Sequence, residues 1–121
     1  MGHHFGVCRV QGQLAVSRSL GDADLRPFVS SRPQTHEWRW RGGEEFLIIA
    51  SDGLWDTLSF EQAVALVRDV QLGLRHIHPG ESVWQASSRA LVEEAYFRLS
   101  SDNIAALVVD LSEGPAKCFT V

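Results

Sequence analysis

The chain reads as an α+β (α/β) fold, and three features of its 121 residues point there. Two apolar runs, Glu45–Ser51 (EFLIIAS) and Ile104–Leu111 (IAALVVDL), have the length and β-branched content of buried strands. Between them, apolar residues recur at helical spacing in two stretches, each opened by a serine with glutamine three positions on. A third stretch, Thr35–Arg41, alternates strictly, with Trp38 and Trp40 on one side and Glu37, Arg39 and Arg41 on the other.

Taken in order, Gln13–Ser17 is a short strand candidate after a turn at Gln11-Gly12, and Ser19–Pro33 is a long polar loop. Thr35–Arg41 is expected to be a half-buried strand that pairs across the Gly42-Gly43 turn with Glu45–Ser51, forming a hairpin. Ser59 and Gln62 start a first helix whose stripe is Ala63, Leu66, Val67, Val70 and Leu74. After the break at Pro79-Gly80, Ser82 and Gln85 start a second helix running to about Leu99. Its inner side is expected to carry Val83, Trp84, Ala86, Ala90, Leu91, Ala95 and Phe97. The sum is four or so strands with two helices before the last. Two helices cover one side of such a sheet, so the chain reads as part of a larger core.

Composition narrows the function. Eleven basic against 15 acidic residues leave a net charge of −4, which lacks the basic face of a nucleic-acid binder. No apolar run reaches ~18 residues, so no membrane partner is expected, and the N-terminus lacks the order of a signal peptide. Cys8 and Cys118 permit a disulfide by count, but a reduced, intracellular chain (cytoplasmic, nuclear or both) is the expectation. Chelation of copper or nickel by Met1-Gly2-His3, and prenylation at Cys118, rest on short patterns and carry little weight.

Two carboxylates stand out by location. Asp52-Gly53 follows the first apolar run, and Asp102-Asn103 precedes the last. Carboxylates at the ends of buried strands are held firmly where water can enter, and two of them suit a hard cation such as Mg²⁺ or Mn²⁺. Gly53 permits a sharp turn and a close backbone approach. The plainer alternative is that Asp-Gly is a turn and Ser-Asp-Asn a loop. Asp56 is either a further ligand or an ordinary loop acid; spacing does not choose.

Three motifs, in order, resemble one family. Leu14–Asp22 (LAVSRSLGD), Phe46–Leu58 (FLIIASDGLWDTL) and Ser101–Val109 (SDNIAALVV) are similar to signatures of the metal-dependent PPM, or PP2C, protein serine/threonine phosphatases. The resemblance spans roughly Val10–Leu111. It implies a partial PP2C-like β-sandwich flanked by helices, with residues 1–111 as the C-terminal part of the phosphatase domain and 112–121 as a tail. It also implies a binuclear Mg²⁺/Mn²⁺ centre that hydrolyses phosphoserine and phosphothreonine in proteins. Asp52 and Asp102 match metal ligands of the family, and Asp56 matches a third, weaker metal position. Asp22, Gly53 and Asn103 match supporting positions, and Ser17 and Arg18 organise the loop.

The departures are as informative. The family's upstream Asp-Gly-His-Gly motif and phosphate-holding arginine do not occur in these residues, and Ala105 stands where Thr or Ser is usual. The chain thus starts about where the family domain's second half would, with its N-terminal half absent. It is expected to be inactive alone, with no catalytic residue of its own beyond metal ligands. The alternative is a non-catalytic product or pseudophosphatase fragment that binds partners, self-associates or docks on a separate N-terminal half-domain.

Overall fold

The computed structural model describes residues 9–112, which fall in two compact units divided between Trp38 and Arg39. The expectations for Cys8, Cys118, the N-terminal histidines and the tail beyond Ser112 fall outside the described residues.

In the first unit, Gln11 and Gly12 both take positive φ, and the chain folds back so that Val10 bridges Leu14. The Val10 amide donates to the Leu14 carbonyl at 2.7 Å, and the Leu14 amide returns to Val10 at 3.3 Å. A return this tight leaves no ladder to extend, so the expected strand over 13–17 does not form. Ser17–Ser19 instead runs beside Ser30, through one parallel bridge at Arg18. Ala23–Leu25 is a single 3₁₀ turn, and Leu25 and Val29 are buried.

The second unit contains β1 (Phe46–Ala50), α1 (Asp52–Trp55), α2 (Phe60–Gln71), α3 (Val83–Phe97) and β2 (Ala106–Asp110). Both capping boxes form as expected. Ser59 Oγ accepts from the Gln62 amide while Gln62 returns to the Ser59 amide, and Ser82 with Gln85 repeats the arrangement. Each pair satisfies two amides that a helix start leaves without partners. Ala63, Leu66, Val67 and Val70 of α2 meet Ala86, Ala90, Leu91 and Ala95 of α3 in one buried cluster. Leu74 lies past the end of α2 and is exposed. Phe97 is also exposed, contrary to expectation: two residues beyond Ala95 is about 200° around the axis, on the solvent side.

The strands pair with each other. β1 and β2 are antiparallel, from Phe46 opposite Asp110 to Ala50 opposite Ala106. The expected hairpin is therefore absent. Thr35–Arg41 is not a strand, Trp38 is 81% exposed, and Trp40 is 43% exposed. Gly42 and Gly43 do take positive φ, as a turn requires, but the strand after them finds its partner some 60 residues on, by the register just given. The described residues thus hold two strands rather than four.

Alternation splits the two-stranded sheet into unlike faces. Phe46, Ile48, Ala50, Ala106 and Val108 pack toward the helices, and the Val108 amide donates to Ser88 Oγ of α3 at 3.0 Å. Leu47, Ile49 and Leu107 lie on the other face, about half exposed.

Arg89 closes the linker between α2 and α3. Its guanidinium donates to both oxygens of Glu81, to Glu93, and to the His76 carbonyl, all at about 3 Å. These carboxylates raise the Arg89 pKa above its ordinary value, Glu81 most of all. In return, the hydrogen bond from Arg89 lowers the Glu81 carboxyl.

Candidate functional site

At the end of β1 the chain passes through Ser51, the N-cap residue, into the single turn of α1, which Asp52 opens. Trp55 holds that turn against the strand, donating its indole N–H to the Ala50 carbonyl at 3.2 Å. Asp56 ends the turn, its amide donating to the Asp52 carbonyl at 2.8 Å. Asp52 and Asp56 are four apart, so they share one side of α1. At the same end of the sheet, Asp102 lies in the loop between α3 and β2, four residues before Ala106, which pairs with Ala50.

The α1 loop and the Asp102 loop are joined by hydrogen bonds. Ser51 donates its hydroxyl to the Asn103 carbonyl and accepts the Ala105 amide, both at 3.0 Å. The Ser51 amide also donates to the Ala105 carbonyl at 3.0 Å. Ser100 donates its hydroxyl to the Gly53 carbonyl at 2.7 Å. Gly53 is fully enclosed by this join: a Cβ there would collide with the Asn103 carbonyl oxygen, a backbone atom. Ala105 therefore has its backbone groups bonded without a hydroxyl of its own.

Asp52, Asp56 and Asp102 are exposed. Asp52 Oδ1 accepts the Gly53 amide at 3.0 Å, and Asp102 Oδ1 accepts the Asn103 amide at 2.7 Å. The second oxygen of each has no hydrogen-bond partner among the described residues. Oxygen donors from carboxylates at a water-accessible edge fit a hard divalent cation, and the glycine cradle fits close approach of the two loops. They supply only part of a coordination shell. Among the described residues no three His, Cys, Asp or Glu side chains gather as an ion would need.

Asp22 belongs to the first unit. It begins the 3₁₀ turn at φ 47°, and its carboxylate accepts the Ser19 hydroxyl at 2.6 Å. Arg18 donates to the Gln34 side chain at 2.9 Å. Sequence reasoning passed over Ser51 and Ser100. The signal was available: each is a serine one or two positions ahead of a candidate carboxylate at the end of an element.

The family model for protein phosphatase 2C matches residues 2–104. The chain belongs to the protein phosphatase 2C family. It is 45% identical over 108 residues to Protein phosphatase 2C homolog 1 of Schizosaccharomyces pombe, a match covering 88% of this chain and 28% of the relative. To Probable protein phosphatase 2C 25 of Arabidopsis thaliana it is 41% identical, covering 89% and 26%. Among solved structures it is similar to "Structure of a C.elegans sex determining protein", with TM-score 0.70 and 26% identity. That likeness covers 84% of this chain and 24% of the other. The chain thus spans about a quarter of the length of these protein phosphatase 2C relatives. Its mixed helix and strand fold is the fold expected of a family member's part.

Proposed function

We propose that these residues serve a metal-dependent protein serine/threonine phosphatase acting on phosphoserine and phosphothreonine in proteins. Asp52 and Asp102 are the metal ligands, Asp56 reaches a third ion, Gly53 and Asn103 support the loops, and Asp22 organises the turn of its own unit. The observation that carries this reading is the junction itself: two carboxylates stand on loops joined through Ser51, Ser100 and the enclosed Gly53. When bound, a pair of Mg²⁺ or Mn²⁺ ions supplies an activated water for in-line attack on phosphorus and offsets charge on the departing oxygen. This chain's contribution is to hold oxygen ligands at fixed positions on the rim of the sheet. Residues 1–111 act as the C-terminal part of the domain in an intracellular protein, a location that rests on cysteine usage alone.

The Asp-Gly-His-Gly motif does not occur in these 121 residues, and only Arg9 precedes the first matched motif. A polypeptide of these residues alone is therefore inactive, because the parts of such a centre act as a unit. With two carboxylates, its affinity for Mn²⁺ is weak, on the order of 10⁻⁴–10⁻³ M. Phosphopeptide hydrolysis assayed with and without Mn²⁺ should stay at background. Strong Mn²⁺-dependent turnover overturns the inactivity, and micromolar binding that survives Asp52→Ala overturns the ligand assignment.

The open sheet face favours a second reading, a binding module. Leu47, Ile49 and Leu107 leave an apolar patch of the kind that marks interaction surfaces. In this reading the patch takes up a separately supplied N-terminal half-domain or a second copy. Sedimentation of the chain, with and without that half, separates the two.

A further inference from the structure

We infer that Ser100 and Ser51 are positioning residues for the metal site, setting the place of Asp102 relative to Asp52; this rests on the ligand assignment proposed above. Each serine spends its hydroxyl proton on a carbonyl of the opposite loop, Ser51 on Asn103 and Ser100 on Gly53. Ser100 sits past the end of α3, where the chain reverses through Leu99 at φ 62°. The Leu99 amide donates to the Tyr96 carbonyl at 2.9 Å and the Ser100 amide to the Ala95 carbonyl at 3.1 Å. This paired closure is the Schellman ending, and it anchors the Ser100 backbone to α3. From that anchor the Ser100 hydroxyl reaches across to the Gly53 carbonyl at 2.7 Å, one residue from Asp52. The Asp102 amide approaches the same hydroxyl at 3.5 Å.

Ser51 works from the other side. It stands at the N-cap position ahead of Asp52, and its hydroxyl bonds Asn103 and Ala105, one and three residues past Asp102. The three bonds thus cross: the serine ahead of each carboxylate holds backbone just after the other. These ties, with Gly53 wedged against Asn103, leave the loops little freedom to slide. Without them the two segments are joined by backbone pairing alone, through Ala50 opposite Ala106 and the Ser51 amide on the Ala105 carbonyl. Groups that orient ligands in this way typically govern metal affinity by about 10–100-fold.

The test is Mn²⁺ titration of the chain, followed by loss of the free-ion electron paramagnetic resonance signal, with circular dichroism on every variant. Ser100→Ala should raise the Mn²⁺ midpoint about tenfold with helix content unchanged. Ser100→Thr, which keeps the hydroxyl, should return the midpoint to within about twofold of wild type, a rescue that a packing role does not explain. Hydrogen exchange should accelerate over residues 100–105 in Ser100→Ala and stay unchanged in α2. Ser51→Ala is the independent second variant, read the same way should Ser100→Ala lose its fold. An unchanged midpoint in both alanine variants, with binding weakened by Asp52→Ala, overturns the positioning role and leaves the ligand assignment standing. Binding indifferent to Asp52→Ala removes the ligand assignment, and the positioning role with it.

Discussion

The two faces of the β1–β2 ribbon are made of the same residue types and meet opposite surroundings. Ile48 and Val108 face each other on the side covered by helices, and Val108 is 5% exposed. Ile49 and Leu107 face each other one step along, on the open side, and both are more than half exposed. A strand turns successive side chains to opposite sides, so one covering layer protects only every second residue. The helices α2 and α3 complete a core on one face. What the other face needs is a second layer, and the described residues of this unit hold none. A sheet apolar on both faces is thus evidence for a neighbour, and it tells which side the neighbour takes.

The comparison predicts unequal costs for equal truncations. Leu91→Ala, in the covered cluster, should lose about 2–5 kcal/mol in a denaturant or thermal melt. Leu107→Ala on the open face should change stability by no more than about 0.5 kcal/mol. Similar losses for the two would break the contrast and show the open face to be covered in solution.

The junction at the end of the ribbon admits no extra atom. Gly53→Ala should cost about 1–3 kcal/mol, since the new methyl meets the backbone carbonyl of Asn103 rather than a movable side chain. Wild-type stability in that variant would mean that the loops separate easily.

A smaller effect of opposite sign is expected at the end of α3. Leu99 adopts φ 62° while 87% exposed, so it bears the steric cost of a left-handed residue with little burial in return. Leu99→Gly should raise stability by about 1 kcal/mol, read as an upward shift of the melting midpoint. The last prediction leaves stability nearly alone. Ile49→Lys should move it by about 0.5 kcal/mol or less but reduce self-association in sedimentation. Unaltered association would take the open face out of the contact.

How much of this was legible in the sequence depended on how far apart the interacting residues are. Both helix starts were readable, because Ser59–Gln62 and Ser82–Gln85 satisfy their amides within one turn. The apolar stripe from Ala63 to Val70 followed from spacing alone. Thr35–Arg41 carries an equally regular alternation, yet it forms no strand. A strand's hydrogen bonds lie on another segment, and here the partner of β1 is β2 rather than its neighbour in the chain. The candidate carboxylates were visible as types at the ends of apolar runs. That Ser51 and Ser100 tie their loops together was not, because those bonds span 47 to 54 residues.

By itself the sequence determined the mixed class, the two capped helices, both strand segments and the family, through short motifs whose physics is local. Only the tertiary structure decided which strands pair, which face of the ribbon is covered, that Phe97 and Leu74 point to water, and that Gly53 lies under Asn103. The physical reason is the same in each case. A cap or a helical stripe is settled among residues within a few positions of each other. Pairing, coverage and close approach depend on which distant segment arrives, and sequence spacing does not encode that arrival.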